Sequence, residues 1–389
     1  MALFSSFGQT FFIALSTGPI RESYNLTSGE YGSLYMIATL ASAMMLPFVG
    51  RLVDRFSIAV VAAGTIILLA AACGLLAIAQ SIPLLLFALF ALRLFGQGMM
   101  SHISLTAMGK WFFATRGKAV SIASLGFTVG QALMPMLFIV LLGYVTWRQG
   151  WLIAAAVLIL VALPAIVLLV KTERNPQSFG DHAPETSTMR QWTRRDILRD
   201  PYFWLTCTGI MAPPFIGTAI FFHQDFILAE RGWSYDTFAI GFLVLTVMGV
   251  ISGLISGALI DRKSATALLP TSLIPLGLGC IVLGVGHAEM TLLVYMALIG
   301  ISFGISGSVM GAIWPEIYGT ENLGSIRSTV MSLMVLFSAL GPGVIGWAID
   351  FGVPLQTQLV GLGIYCLLAV LALVVSARKF MQRHIASQI

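Results

Sequence analysis

Apolar runs of about 20 residues, each long enough to cross the hydrocarbon core of a bilayer as a helix, recur along the whole of this sequence. Charged, proline-bearing or glycine-bearing breaks separate them. A membrane strand would instead show about 10 residues of alternating polarity between turns, a pattern the chain does not have. Lipid supplies no hydrogen bonds, so each run must satisfy its own backbone as a helix. The composition agrees: 58% hydrophobic and only 10% charged residues leave too little polar surface to clothe a water-soluble globule of 389 residues.

The runs predict an all-α membrane protein with twelve transmembrane helices, near 1–19, 31–50, 58–80, 83–108, 117–141 and 149–170, then 201–226, 236–258, 266–287, 290–313, 325–349 and 354–377. The first run has no basic segment ahead of it and no cleavage pattern behind it, so it reads as a helix rather than a signal peptide, in a chain whose start could lie a few residues upstream. Residues 171–200 carry eleven charges with Pro176 and Pro184 and read as a hydrated linker between domains at 1–170 and 201–389. Of the 21 lysines and arginines, 17 fall in segments that are cytoplasmic if the N-terminus is inside; Arg21, Arg148 and Arg231 fall on the other side, and Arg93 lies within a run. Cytoplasmic loops retain basic residues, so both termini are expected in the cytoplasm of a multi-pass protein of a plasma or bacterial inner membrane.

A shift of 207 positions lays Gly50-Arg51-Leu52-Val53-Asp54-Arg55 on Gly257-Ala258-Leu259-Ile260-Asp261-Arg262, Gly117 on Gly324 and Pro135 on Pro342. Two parallel, pseudo-symmetric bundles of six helices follow, an architecture of alternating-access transport. The residues that repeat also carry a family resemblance. GRLVDR at 50–55 and GALIDR at 257–262 resemble the loop motif of the major facilitator superfamily. Arg93-Leu94-Phe95-Gly96-Gln97-Gly98 is similar to its fourth-helix motif, and Gly126, Gly130 and Pro135 to its fifth. Lys110-Trp111-Phe112 with Arg116-Gly117-Lys118-Ala119 resembles monocarboxylate and oxalate/formate carriers. The family motif usually continues with glycine and further basic residues after Arg55, where this chain has Phe56, Ser57 and Ile58.

The resemblance implies a gating role for Gly50, Asp54 and Arg55, with Asp54 meeting the start of the eleventh helix near Gly324, and for their duplicates Gly257, Asp261 and Arg262. A carboxylate at a helix N-terminus gains about 0.3–1 kcal/mol, enough to bias two balanced states. Arg93 lies ten positions past Pro83, about 15 Å into the membrane, where a charge must face a cavity or protein partners. No Asp or Glu falls mid-span to balance it. Two readings stay open: contact with an anionic substrate, or bonds to helix-end carbonyls that hold helices together. Gln97 shares its face at i+4. His102 lies on the opposite face and reads as a packed histidine.

The seventh run carries Pro213-Pro214 and then His223-Gln224-Asp225, a kink with a polar cluster. His223 and Gln224 are candidate cavity residues, and a histidine beside a carboxylate leaves room for a coupling proton. Gln9, Thr10, Gln131, Ser302 and Ser306 sit in runs that line the cavity in the family, although such side chains also join helices. Gly300, Gly304 and Gly307 suit close helix packing.

The expected function is secondary active transport of a small molecule, with a small organic anion of monocarboxylate type as the leading substrate class. Multidrug efflux and a non-transporting sensor on the same fold are the alternatives. No mid-span catalytic constellation suggests an enzyme, and the widely spaced cysteines and histidines suggest neither metal nor cofactor. The partners expected are the substrate and the bilayer, with the protein a monomer; the net charge of +5 is scattered between runs rather than gathered in a stripe for nucleic acid.

Overall fold

The structure, a computed structural model, describes residues 1–111, 116–170, 191–319 and 322–386. Its described elements are helices, and eleven of them are long and apolar enough to cross a membrane: α2 (Ser28–Val49), α3 (Ile58–Ile78), α4 (Ile82–Met108), α5 (Leu125–Leu142), α6 (Trp147–Val170), α7 (Pro201–Phe222), α8 (Tyr235–Arg262), α9 (Ala265–Val285), α10 (Met290–Tyr318), α11 (Ile326–Asp350) and α12 (Leu355–Arg383). Large apolar side chains point outward from these helices, among them Leu160, Leu168, Leu169, Leu254 and Leu371, all more than 60% exposed, as a lipid-facing surface requires.

The first run differs from the sequence expectation of one continuous helix. It is built of four short pieces, Phe4–Gly8, Thr10–Ile13, Ala14–Ser16 and Thr17–Tyr24, together called α1. The chain is extended at Gln9 (φ −85°, ψ 150°) and leaves helical geometry again at Ser16 (φ −112°, ψ 7°). Local chemistry accounts for this. The Ser5 and Ser6 hydroxyls donate to the carbonyls of Ala2 and Leu3, competing with regular helix bonds. Pro19 is tolerated because it falls in the first turn of Thr17–Tyr24.

The other boundaries follow capping rules. Thr27 and Glu30 form a reciprocal box at the start of α2, and Thr146 with Gln149 does so for α6. Asp200 Oδ1 accepts from the Tyr202 amide at 3.1 Å, with Pro201 in the first turn of α7. Of the stretch 171–200 expected to be a linker, 171–190 lies outside the described residues, and Arg194–Arg199 forms a short capped helix. Asp200 also receives Arg383 from the end of α12 at 2.6 and 3.0 Å and the Tyr318 hydroxyl from the end of α10 at 3.2 Å. Its buried charge is thereby fully paired. The Glu316 carboxylate accepts from the amides of Ala265 and Thr266 at 2.8 and 3.1 Å, tying α10 to the start of α9.

Two compact units result. One comprises Met1–Ala183, Ile220–Glu230 and Pro342–Trp347; the other comprises Pro184–Ala219, Arg231–Gly341 and Ala348–Ile389. Inside the second, α8 and α10 approach backbone to backbone. A Cβ on Gly304 would lie 2.8 Å from the Gly253 amide nitrogen, and Ser308 donates to the Gly253 carbonyl at 2.9 Å. Gly300 is equally confined, whereas Gly307 faces open space. The Gly304→Ala variant should lose about 1–3 kcal/mol through overpacking, and Gly307→Ala should lose nothing. Unfolding of both proteins in detergent checks this: equal losses would remove the α8–α10 contact as a determinant of stability.

Candidate functional site

Arg93 is buried in the first unit, one residue into a π-helical stretch of α4 over Leu92–Met100. Its Nη1 donates to the Gly8 carbonyl and to Thr10 Oγ1, both at 3.2 Å. That carbonyl lies at the edge of the extended residue Gln9, which interrupts the helical hydrogen-bond ladder. The guanidinium stands 5.3 Å from the Tyr35 ring centre, and the Tyr35 hydroxyl donates to Thr10 Oγ1 at 2.7 Å. A cation over an aromatic face gains about 0.5–2 kcal/mol, more as water is excluded. Among the described residues no carboxylate pairs with Arg93, and its Nε has no hydrogen-bond partner. The helix-holding reading of Arg93 therefore has its geometry here, and the remaining donor leaves the anion contact open.

Close backbone packing positions this group. A Cβ on Gly8 would fall 2.6 Å from Gly96 Cα, so the break in α1 and the π-helical stretch touch directly. Gly130 likewise abuts Leu3, which brings α5 and the half-buried Gln131 against the first turn of α1. Gln9 is buried and Gln97 half-buried around the same junction.

A second cluster forms in the same unit, past the end of α7. His223 is buried, and its Nε2 lies 2.9 Å from the Pro342 carbonyl, which can only accept, so that nitrogen carries a proton. The Phe222 ring stacks on Tyr31 at 5.2 Å and leans on Tyr35 at 4.6 Å. Tyr35 thus belongs to both clusters. Gln224 is fully buried, and neither amide atom has a hydrogen-bond partner among the described residues. Asp225 opens the short helix Gln224–Arg231 beyond the span, with Oδ2 3.2 Å from where a Cβ on Gly18 would lie. Burial pushes its carboxyl up to about 6, against the opposing charge of Arg21. Trp347 Nε1 donates to Ser33 Oγ at 2.9 Å and ties the end of α11 to α2.

The remaining candidates lie elsewhere. Ser302 is fully buried and donates to the Ser272 carbonyl at 2.5 Å, a helix-joining bond. Ser306 lines a cavity of about 30 Å³ beside Pro213, Ser272 and Met310 in the second unit. Within α11, Pro342 has no N–H for the Ser338 carbonyl, which accepts from Thr218 Oγ1 of α7 at 2.9 Å instead. Gly50 is buried at the end of α2, and Arg55 is exposed at the end of the short helix Leu52–Arg55. Gly257, Asp261 and Arg262 continue α8 without a break, the latter two exposed. The side chains of Asp54 and of residues 323–325 at the start of the eleventh helix lie outside what is described, as does the loop 112–115. His102, expected to be packed, is exposed, with Nε2 3.3 Å from a Cβ position on Gly50.

Sequence reasoning missed Tyr31 and Tyr35. Their signal was available: two tyrosines at i, i+4 inside an apolar run put two hydroxyls on one helix face, where burial demands partners.

Two units of membrane-length helices, a broken first helix and a buried arginine without a carboxylate partner among the described residues are features of a membrane carrier. The sequence profile of the Major Facilitator Superfamily matches residues 1–345, and the chain belongs to that family. It is a multi-pass membrane transporter and not an enzyme. A protein of Haemophilus influenzae, provisionally named for metabolite transport, is 25% identical over 91% of this chain and 88% of its own. The hexuronate transporter of Escherichia coli K12 is 25% identical over 52% of this chain and 49% of its own. A bacterial homologue of the human lysosomal transporter Spinster, inward-facing and unoccupied, shares the fold with a TM-score of 0.75 at 16% identity, covering 98% of this chain and 96% of that one.

Thr10→Val keeps the shape of the side chain but removes the shared acceptor of Arg93 and Tyr35. Two buried donors lose a partner, so the variant should be about 1–3 kcal/mol less stable to denaturant in detergent. Unaltered stability would mean that the junction of α1 and α4 does not depend on this network.

Proposed function

We propose that the protein is a secondary active carrier of a small organic anion, with Arg93 as the charge that receives it. The observation that carries this reading is a buried guanidinium that has, among the described residues, no carboxylate partner and no acceptor for its Nε, at a break in α1. A carboxylate could take up that donor and balance a charge that is otherwise expensive at membrane depth. Gln9, Gln97 and Gln131 surround the junction and suit the hydroxyls and carboxylates of such a solute. Relatives named for metabolite and hexuronate transport support the substrate class, a hexuronate being a hydroxylated carboxylate.

In this reading α1 is the twelfth span, crossing as a discontinuous helix whose freed carbonyls are held by protein rather than lipid. Both termini are cytoplasmic, following the basic residues, and the segment 171–200 links domains at 1–170 and 201–389 in a monomeric protein of the bacterial inner membrane. Transport proceeds by alternating access. His223 and Gln224 act towards the external end, Ser302 and Ser306 line the path from α10, and the two copies of the loop motif, Gly50-Asp54-Arg55 and Gly257-Asp261-Arg262, gate the cytoplasmic end.

Counterflow in liposomes tests the proposal. A hexuronate or a monocarboxylate should exchange without a gradient, with a loss of at least about 100-fold in Arg93→Ala, the scale of one buried charge-assisted contact, and a smaller loss in Arg93→Lys. Exchange of lipophilic cations but no carboxylate would favour multidrug efflux along the aromatic wall of Tyr31, Tyr35 and Phe222. Binding without exchange would make the protein a sensor.

A further inference from the structure

We propose that Asp225 is a proton-binding site whose occupancy holds the external end of the first unit packed. The inference rests on the external placement and the alternating access proposed above, and adds a ligand to them. Asp225 sits where Ile220–Glu230 lies against α1 and α2. The neighbouring floor is Gly18, whose missing side chain lets the carboxylate come within 3.2 Å of the Cβ position. A Cβ there would press the carboxylate back by a few tenths of an ångström. Oδ1 accepts no hydrogen bond from any described residue, and Gln224 next to it is fully buried with neither amide atom bonded. The stacked rings of Tyr31 and Phe222 join the same segment to α2.

The groups facing Asp225 are few. From α1 come Arg21, whose charge acts on the carboxylate, and Thr17 and Tyr24, which with Asp225 act on the Tyr31 hydroxyl of α2. From its own segment come the backbone amides of Phe226 and of Asp225 itself, which hydrogen-bond the carboxylate and oppose the effect of burial, and His223, whose Nε2 is held on the Pro342 carbonyl of α11. Arg21 forms no ion pair with Asp225 at hydrogen-bonding distance among the described residues. An ionised Asp225 is therefore half-buried, held by the Phe226 amide and its own but with Oδ1 unsatisfied among the described residues, a state that protonation relieves. Unpacking of Ile220–Glu230 would return the carboxyl to water and to an ordinary acidity near 4.

The sign follows from linkage. The packed state holds the proton up to about pH 6 and the hydrated state only to about pH 4, so acid favours the packed state. Between pH 7 and pH 5 the ratio of packed to unpacked protein should rise about tenfold; further gain ends near pH 4, where both states are protonated. External acidity would thus slow opening on that side.

The test uses the full chain in liposomes with a reporter thiol at Ser28→Cys, a position buried in the packed state, and a second at Tyr144→Cys, which is exposed. The four native cysteines are buried. The ratio of maleimide labelling at the two reporters, taken at each pH, cancels the common pH dependence of thiol reactivity. This ratio should fall about tenfold from pH 7 to pH 5 in the otherwise unaltered protein and stay low and flat when Asp225→Asn is added. His223→Gln should keep the fall. A flat response without Asp225→Asn, an unchanged fall with it, or loss of the fall in His223→Gln would each overturn the proton site while leaving the carrier reading intact, because labelling itself reports opening. No labelling of Ser28→Cys at any pH would overturn both. Failure of counterflow with a normal pH response would overturn only the substrate class.

Discussion

Every backbone group that leaves a regular helix inside a membrane must find a partner in the protein, and this requirement organises the molecule around the break in α1. The Gly8 carbonyl beside extended Gln9 is met by Arg93, Arg93 is steadied by Tyr35, and both use Thr10. The arrangement works in both directions. A guanidinium could not stay at that depth without carbonyl and hydroxyl acceptors, and the break could not persist without a strong donor. The contact of Gly8 with Gly96 then makes the distance short enough for the bond to form.

The same rule recurs in the other unit with neutral partners. The Ser338 carbonyl, left without a helical donor by the proline four residues on, takes the Thr218 hydroxyl of α7 instead. Ser302 joins α10 to Ser272, and Ser252 donates to the Ile301 carbonyl at 3.2 Å. These bonds are individually modest, about 0.5–1 kcal/mol in membrane proteins. They permit the close glycine contacts of α8 and α10, where dispersion between backbones does most of the holding. At the water-exposed ends the devices change to charge: Asp200 with Arg383, and Glu316 on the start of α9.

The economy is incomplete at places, and the proposed site rests on two of them. Arg93 Nε and both amide atoms of Gln224 lack partners in the first unit, and Tyr35 with Phe222 connects the two places. Buried polar atoms without partners are rare in folded proteins and mark places that a ligand, water or a second conformation completes. A carrier needs such places, since a site saturated by its own protein would have nothing to offer a solute.

Much of this was legible in the sequence. The apolar runs dictated membrane helices because lipid leaves the backbone no alternative, and the 207-residue repeat with its loop motif pointed to the family. Arg93 stood out because a charge in an apolar run must have a reason. Its partners did not, because a broken helix of apolar and small residues has nearly the composition of a continuous one, and only packing against the π-helical stretch of α4 shows where the ladder opens. Tyr31, Tyr35 and Phe222 look like ordinary core aromatics until tertiary contact places them between two polar clusters. Likewise, the pattern His223-Gln224-Asp225 announced polar chemistry, but not that His223 would bond the Pro342 carbonyl while Asp225 packed over Gly18. Hydrophobic periodicity is local and survives in one dimension; hydrogen-bond partners more than a hundred residues apart are chosen only when the helices meet.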